Sequence, residues 1–528
     1  MASYEPAGRQ SKHAARSQAV FREFHRRSLV LLITFSLVLT MVAGEMVDRI
    51  ARPSRRLLSG GPVAIACRTA VILSIWLSAF GLTGRPLFAF TATAVTIGII
   101  VTISNVKLRY LREPLLFSDF ALLEHLLQHP QLFYIPRRWQ NAALVGVLAL
   151  FAAIAVWMMI EPRVVGARAQ AFALAMAAIV PAAIMLQPSL LASAGRLVRD
   201  PKPHADVAHI GMLATLLAYT VAWRLEPLSR PRQAPAMNLR ALASHDAVIV
   251  IQAESFVDLR RLGQSDVRLP AFDRLKQRAI ASGLIEVACE GAYTLRPESA
   301  VITGLGYDDQ GFDRFHPYLR PRHLSAGALP RQLAEAGWDT LFVHPHDHRF
   351  FRRAQAMPAL GFARCADERA FAGARHVGPY VCDDAVAQLL LAEIDARAAG
   401  SRPLFVYAVT MEAHDPYGPG RLPGEDDPVR QYIHHLENAD RMLARVADTL
   451  DHDDRRVLLV FFGDHVPFLP EFADPFPDTR TDYLAVELGP NARRQRIAQS
   501  ISRPEHLHAL IAACLEGSAS ARISSAAG

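Results

Sequence analysis

"RRVLLVFFGDHVPF", residues 455–468, decides how the second half of this chain is read. A short apolar run that stops at a glycine and two polar residues predicts a strand buried on both faces of a parallel sheet. Asp464 and His465 then stand together at the strand's carboxyl end, one offering a hard oxygen and the other an imidazole nitrogen. That pair is half a site for a divalent metal such as Mn²⁺ or Zn²⁺. Alone, the same residues also read as a turn with a capping Asp and an exposed His.

Three other stretches have the same form. "AVIVIQAES" (247–255) ends a β-branched run at Glu254, "PLFVYAVTMEAHDPYG" (403–418) leads to His414, and "DTLFVHPHDHRFFRR" (339–353) leads to His344 and Arg353. Functional groups collect at the carboxyl ends of strands in open α/β sheets. "HPHDH" lacks the spacing of zinc motifs. Imidazoles and guanidiniums gathered at strand ends suit a phosphate, which needs charge-assisted donors. In "CEGAYTLRPESAVITGL" (289–305), Thr294 precedes a small-residue helix and reads either as its cap or as a nucleophile. Glu254, Asp464 and His465 on one metal, with a position open for the Thr294 oxygen, make that hydroxyl a usable nucleophile. His344, His414 and Arg353 then bind phosphoryl oxygens or protonate a leaving alkoxide.

The motifs "VIVIQAESF", "YTLRPE" followed by "TGL", "VTMEAHDPY" and "FFGDHVP" occur in the order found in lipoteichoic acid synthases and related phosphoglycerol transferases. The sequence resembles that family, which lies within the alkaline phosphatase/sulfatase superfamily, and the form around Thr294 resembles its proteobacterial branch. The resemblance implies an α-helical transmembrane domain followed by a soluble α/β domain with a central mixed, mainly parallel sheet. It implies that Glu254, Thr294, Asp464 and His465 bind one divalent metal, Mn²⁺ first with Mg²⁺ or Zn²⁺ as alternatives, and that Thr294 becomes the covalent glycerophosphoryl carrier. His344, His414 and Arg353 match substrate positions, while Phe351 stands where related enzymes commonly have Trp. Arg296 adds charge near the phosphate or pairs with Glu298. The implied partners are phosphatidylglycerol as donor, a glycan or lipid-linked acceptor, and the membrane.

Sulfatase chemistry itself is excluded, because Thr294-Leu295-Arg296 offers no Cys or Ser for a formylglycine. Phosphoethanolamine transferases resemble the chain less, with "GExxR" where this sequence has "QAESF". Simple hydrolysis is a further alternative. A silent, membrane-anchored glycan-binding protein would have no need of Glu254, Thr294, Asp464 and His465 together. A transporter would require ionisable residues inside the spans, whereas Glu45 and Asp48 lie at one end.

The 528 residues carry a formal charge of +7, without a basic stripe interleaved with aromatics, which argues against nucleic acid. Residues 1–27 read as a basic cytoplasmic tail. Apolar runs at about 28–47, 63–82, 86–105, 141–160 and 168–190 predict five membrane spans in a domain of residues 28–190. An odd number of spans puts the following domain on the periplasmic or extracellular side of a bacterial inner (plasma) membrane. Residues 191–244 read as a juxtamembrane linker with an interfacial helix near 210–223. The segment "NVKLRYLREPLLFSDFALLEHLLQHP" suits either the membrane surface or a plain loop. Residues 245–517 form the expected catalytic domain, and 518–528 a disordered tail. Cys365 and Cys382 read equally as a disulfide or as two thiols.

Overall fold

The computed structural model describes residues 7–56, 59–123, 137–186, 198, 200–226, 237, 245–398, 400–490, 492 and 501–517. Residues 191–197, 199, 227–236 and 238–244 of the expected linker and the whole expected disordered tail lie outside these residues, as does the stretch from 124 to 130 of the surface segment. The chain divides into two units, the first drawn from residues before Glu226 and the second chiefly from those after it.

In the first unit, α1 (Ala7–Asp48), α2 (Gly61–Thr83), α3 (Pro86–Leu111), α4 (Arg137–Ile160), α5 (Ala167–Leu186), α6 (Pro203–Ile210) and α7 (Met212–Leu225) follow one another. Residues Val20–Asp48 of α1, all of α2 and all of α3 are long and apolar enough to cross a membrane. These match the first three expected spans. The fourth and fifth runs form α4 and α5, whose described apolar stretches, Val145–Ile160 and Ala167–Val180, are shorter. The basic residues read as a tail continue α1 back to Ala7. Arg, Lys and Gln are good helix formers, so the helix outlasts its apolar stretch.

Glu45 and Asp48 are committed to structural pairs. Arg68 forks onto Glu45, with both contacts at 3.0 Å, and donates to the Ile210 carbonyl at 2.6 Å. Asp48 accepts from Arg55 Nε and from the Leu213 amide, each at 2.9 Å. Gly211, at φ 89°, must lack a side chain, since a Cβ would lie 2.4 Å from Asp48 Oδ2. The network joins the ends of α1 and α2 to the turn between α6 and α7.

The second unit is built on a seven-stranded sheet. Its strands are β1 (Ala247–Ala253), β2 (Ala281–Ile285), β3 (Asp339–Val343), β4 (Arg364–Ala366), β7 (Leu404–Val409), β8 (Val457–Gly463) and β9 (Thr481–Leu488). A separate hairpin pairs β5 (His376–Val377) with β6 (Tyr380–Val381). The sheet order is β2-β9-β8-β1-β7-β3-β4, parallel from β8 through β4 and antiparallel on the β9 and β2 side. This is the expected mixed, mainly parallel sheet.

Successive residues of the central strands serve opposite cores, which is why the runs are apolar without alternation. Ile249, Ile251, Leu459 and Phe461 pack beneath α8 (Pro270–Arg278), α9 (Asp383–Asp395) and α10 (Pro428–Asp451). Val248, Val250, Leu458 and Val460 join the other core with α11 (Leu295–Thr303) and α12 (Pro504–Leu515). Cys365, in β4, and Cys382, just before α9, form no disulfide.

The consequence for function is one of order. β8, β1, β7 and β3 are parallel neighbours, so their carboxyl ends share one edge. Residues met along the chain as 254, 344, 414 and 464 therefore follow strands that stand side by side, with β1 in the middle.

Candidate metal centre and phosphate pocket

β1 and β8 pair as far as Ala253 and Gly463, which brings the next residues of each strand together. A Cβ on Gly463 would lie 2.0 Å from the Phe256 carbonyl oxygen, so no other residue fits there. After β1 the chain turns sharply at Ser255, which has φ 52°. The strained turn is held by three bonds. The Ser255 amide donates to Asp464 Oδ1 at 2.8 Å, its hydroxyl donates to Glu254 Oε1 at 2.9 Å, and its carbonyl accepts from Tyr432 at 2.5 Å. The Glu254 amide donates to Thr410 Oγ1 at 3.0 Å, which ties the turn to the end of β7.

Asp464 Oδ1 also accepts the His465 amide, at 2.9 Å. The His465 Nδ1–H donates to the Val466 carbonyl at 3.0 Å, which leaves Nε2 as the lone-pair nitrogen. Nε2 stands 3.4 Å from Glu254 Oε1 and 3.7 Å from Asp464 Oδ2. One ligand atom from each of the three residues lies within 4.8 Å of the others.

Glu254 Oε2, Asp464 Oδ2 and His465 Nε2 are all buried and have no hydrogen-bond partner. Three such orphans in one place would cost several kcal/mol in total if nothing occupied the space between them. Two carboxylate oxygens and one imidazole nitrogen fit a divalent cation and leave coordination positions open. Burial, together with the neighbouring Asp464 charge, pushes the Glu254 carboxyl above its ordinary range. A cation reverses that balance.

Thr294 begins α11 after Tyr293, which is held at φ 67°. Its hydroxyl does not cap the helix. Its carbonyl accepts from the Gln252 side chain at 3.0 Å, and Gln252 in turn accepts from Tyr407 at 2.5 Å. The residue two places before Glu254 thus fixes the threonine backbone to β1.

The remaining candidates divide in two. Arg353 is fully buried and forks onto buried Glu298 at 2.9–3.3 Å, leaving Nη1 to donate to His344 Nε2 at 3.2 Å. Tyr318 donates to the same Glu298 at 2.6 Å. Burial, and then the Arg353 charge, hold His344 well below its ordinary pKa, so the ring is a neutral acceptor. His414 is the opposite case. Burial opposes its charge, but the Glu254 carboxylate and Asp415 outweigh it and push the pKa up to about 9. Its Nδ1 lies 2.7 Å from the Asp415 carbonyl and 3.3 Å from the Tyr380 hydroxyl.

Arg296 does not pair with Glu298. Its guanidinium covers the Tyr293 ring at 4.2 Å and reaches the Ala288 carbonyl at 3.3 Å. Phe351 and Arg352 are both held at positive φ, and Arg353 lies 5.3 Å over the Phe351 ring.

Sequence reasoning passes over Gln252, Tyr318, Tyr380 and His316. For Gln252 a signal exists, as the polar interruption of an otherwise apolar strand. None marks His316, which is buried beside Phe351 with both ring nitrogens lacking partners. Burial and the charges of Arg296, Arg352 and Arg353 hold its pKa down at about 3.

Residues 246–509 match the family model described as Sulfatase. A Rhizobium meliloti capsular polysaccharide biosynthesis protein, RkpI, is 34% identical over 472 residues, covering 84% of this chain and 86% of the relative. A cyclic β-1,2-glucan modification protein, described as putative, from the same organism is 26% identical over 234 residues, covering 42% of this chain and 35% of that protein. Among solved structures, the Streptococcus pyogenes phosphoglycerol transferase GacH, in complex with sn-glycerol-1-phosphate, aligns with 20% identity. That alignment covers 48% of this chain and 72% of GacH, with a TM-score of 0.39. With half its length matched by the family model and a relative alike over most of both chains, this protein belongs to the sulfatase family.

Proposed function

We propose that the protein is a membrane-anchored phosphotransferase that moves glycerol phosphate from phosphatidylglycerol, through a phosphothreonine at Thr294, to an extracytoplasmic glycan or similar acceptor. The observation that carries this reading is the convergence of Glu254 Oε2, Asp464 Oδ2 and His465 Nε2, three buried atoms without hydrogen bonds, on the sheet edge that also fixes Thr294. Mn²⁺ is the first choice for that site, with Mg²⁺ or Zn²⁺ as alternatives. A cation held there supplies Lewis acidity and lowers the pKa of a coordinated hydroxyl.

The chain's own groups do the rest. Thr294 Oγ1 forms a bond to phosphorus and loses its proton to water, while the bond from phosphorus to the diacylglycerol oxygen breaks. His414, whose Nδ1 is held by the Asp415 carbonyl at 2.7 Å, gives its proton to that leaving alkoxide. In the second half the acceptor hydroxyl attacks, its proton passes to His414, and Thr294 is released and reprotonated from water. In this reading Arg353 gives a phosphoryl oxygen its guanidinium N–H groups not bound to Glu298 or His344, and His344, as the acceptor of Nη1, holds it in position.

The glycerol headgroup is preferred to ethanolamine because the first metal motif reads "QAESF" where phosphoethanolamine transferases have "GExxR". The names of the two rhizobial relatives, one in polysaccharide biosynthesis and one in glucan modification, support a glycan as acceptor. In this reading residues 28–190 cross the bacterial inner membrane five times, α4 and α5 included, and residues 245–517 work on its periplasmic side.

The test is intact-protein mass spectrometry of the full chain and of Thr294→Ala after incubation with Mn²⁺ and phosphatidylglycerol. A glycerophosphoryl adduct on the parent alone is expected. An adduct from phosphatidylethanolamine instead, or an equal adduct on Thr294→Ala, would overturn the assignment.

A further inference from the structure

The loop after β7 and the start of α10 enclose, with the β5–β6 hairpin, a second feature that the chemistry above does not use. It is a cleft of about 740 Å³ lined by Arg375, Arg421 and Arg430, by His376 and His434, and by the carboxylates of Glu425 and Glu437 among other groups. Arg421 is its buried member. Its Nη atoms donate to the carbonyls of Glu412, Pro416 and His414, at 2.6, 2.9 and 2.5 Å respectively. Its Nε is buried and has no hydrogen-bond partner.

The turn of the hairpin lies against this side chain. A Cβ on Gly378, which has φ 62°, would stand 2.9 Å from Arg421 Cγ and 3.6 Å from Nε. The rings of Tyr380 and Tyr417 pack on the guanidinium at 5.4 and 5.1 Å. Because Arg421 bonds the His414 carbonyl and Tyr380 reaches the His414 ring, the cleft shares a wall with the proposed proton carrier.

Three guanidiniums against two carboxylates leave the lining positive; Arg421 spends its Nη groups on backbone carbonyls, so paired contacts to carboxylate or phosphate oxygens fall to Arg375 and Arg430. Arg430 and Glu425 are 3.9 Å apart, too loosely matched to neutralise each other fully. Among the described residues the lining contains no Trp, Tyr or Phe on which an uncharged sugar face would stack. A ligand rich in hydroxyls and carrying acidic groups satisfies both the cations and the two acceptors.

We propose that this cleft binds the glycan acceptor as an acidic oligosaccharide, holding its chain so that one hydroxyl reaches the Thr294–His414 side of the sheet edge. The proposal rests on the transferase reading above and supplies its second substrate.

The test uses the full chain in nanodiscs and measures binding of a galacturonic acid hexamer against the uncharged hexasaccharide maltohexaose. Arg375 and Arg430 are exposed, so Arg375→Glu with Arg430→Glu leaves the buried core intact. The acidic hexamer is expected to bind at least about tenfold more tightly than maltohexaose, to weaken with added salt, and to lose about tenfold in the double variant. Equal binding of the two sugars, no binding of the acidic one, or indifference to the double substitution would overturn the proposal. The Thr294 adduct is recorded on the same samples. A normal adduct with an indifferent cleft sinks only the acceptor site, whereas a missing adduct sinks the transferase reading.

Discussion

Asp464→Asn separates what the metal centre does from what the fold requires. Asp464 uses its two oxygens differently: Oδ1 accepts the amides of Ser255 and His465, while Oδ2 has no partner. Asparagine keeps the first oxygen and replaces the second with an uncharged amide, so the turn after β1 survives. The substitution also removes the like charge that raises Glu254. The metal-free variant is therefore expected to melt no lower than the metal-free parent. The response to metal is where they part. A cation at a hundred times its dissociation constant stabilises the folded state by about 2.7 kcal/mol. For a domain of this size that corresponds to roughly 5–10 °C in the melting temperature. Differential scanning fluorimetry of the full chain with and without millimolar Mn²⁺ should show this rise in the parent and little of it in Asp464→Asn. An undiminished rise in the variant, or none in the parent with Mn²⁺, Mg²⁺ or Zn²⁺, would refute the assignment of the three ligands.

Glu298→Gln leaves Arg353 buried without its counter-charge, and a broken buried pair of this kind costs about 3–5 kcal/mol, readable in urea unfolding of the second unit. His316, His348, His435 and His508 are held near pKa 3, 4, 4 and 4, with burial the first cause in each. Their unfolded forms take up protons below about pH 6.5 while the folded forms do not, so these four groups withdraw stability as pH falls from there to about pH 4. Their share is on the order of 4–5 kcal/mol between about pH 6 and pH 5, and a His508→Leu variant whose stability falls as steeply as the parent's over that range would contradict it. Replacing His316 with Leu removes two unsatisfied buried nitrogens and should raise stability by about 1–3 kcal/mol in urea unfolding, and an unchanged or lower stability would contradict it.

Much of the second unit was legible because parallel strands buried on both faces leave a strong trace: an apolar run, then a polar residue at its end. That trace led to Glu254, His344, His414 and Asp464 without any knowledge of which strand neighbours which. Pairing was another matter. Glu298 and Arg353 meet only because α11 and the segment after β3 pack on the same face, and no spacing in the chain encodes that, so a pairing of Glu298 with Arg296 stands as one of two readings of the sequence. The positive φ at Ser255, Tyr293, Phe351 and Arg352 was equally hidden, since none is a glycine. In the first unit, hydropathy found the helices but not their ends. A hydropathy window stops where charge begins, and a helix of Arg, Lys and Gln does not.

The placement of β1 at the middle of the sheet has a consequence for how the protein comes into being. β1 is the first strand of its unit to be synthesised, yet its two neighbours, β7 and β8, begin at Leu404 and Val457. Until those segments arrive, a strand as apolar as "AVIVI" has both edges open, and the loops that must close around it are long. Such an edge invites association with other chains. A chain halted before β8 would carry Thr294 and Glu254 but neither Asp464 nor His465. The candidate ligand set is thus completed only by the last third of the unit, and an unfinished chain has no assembled centre.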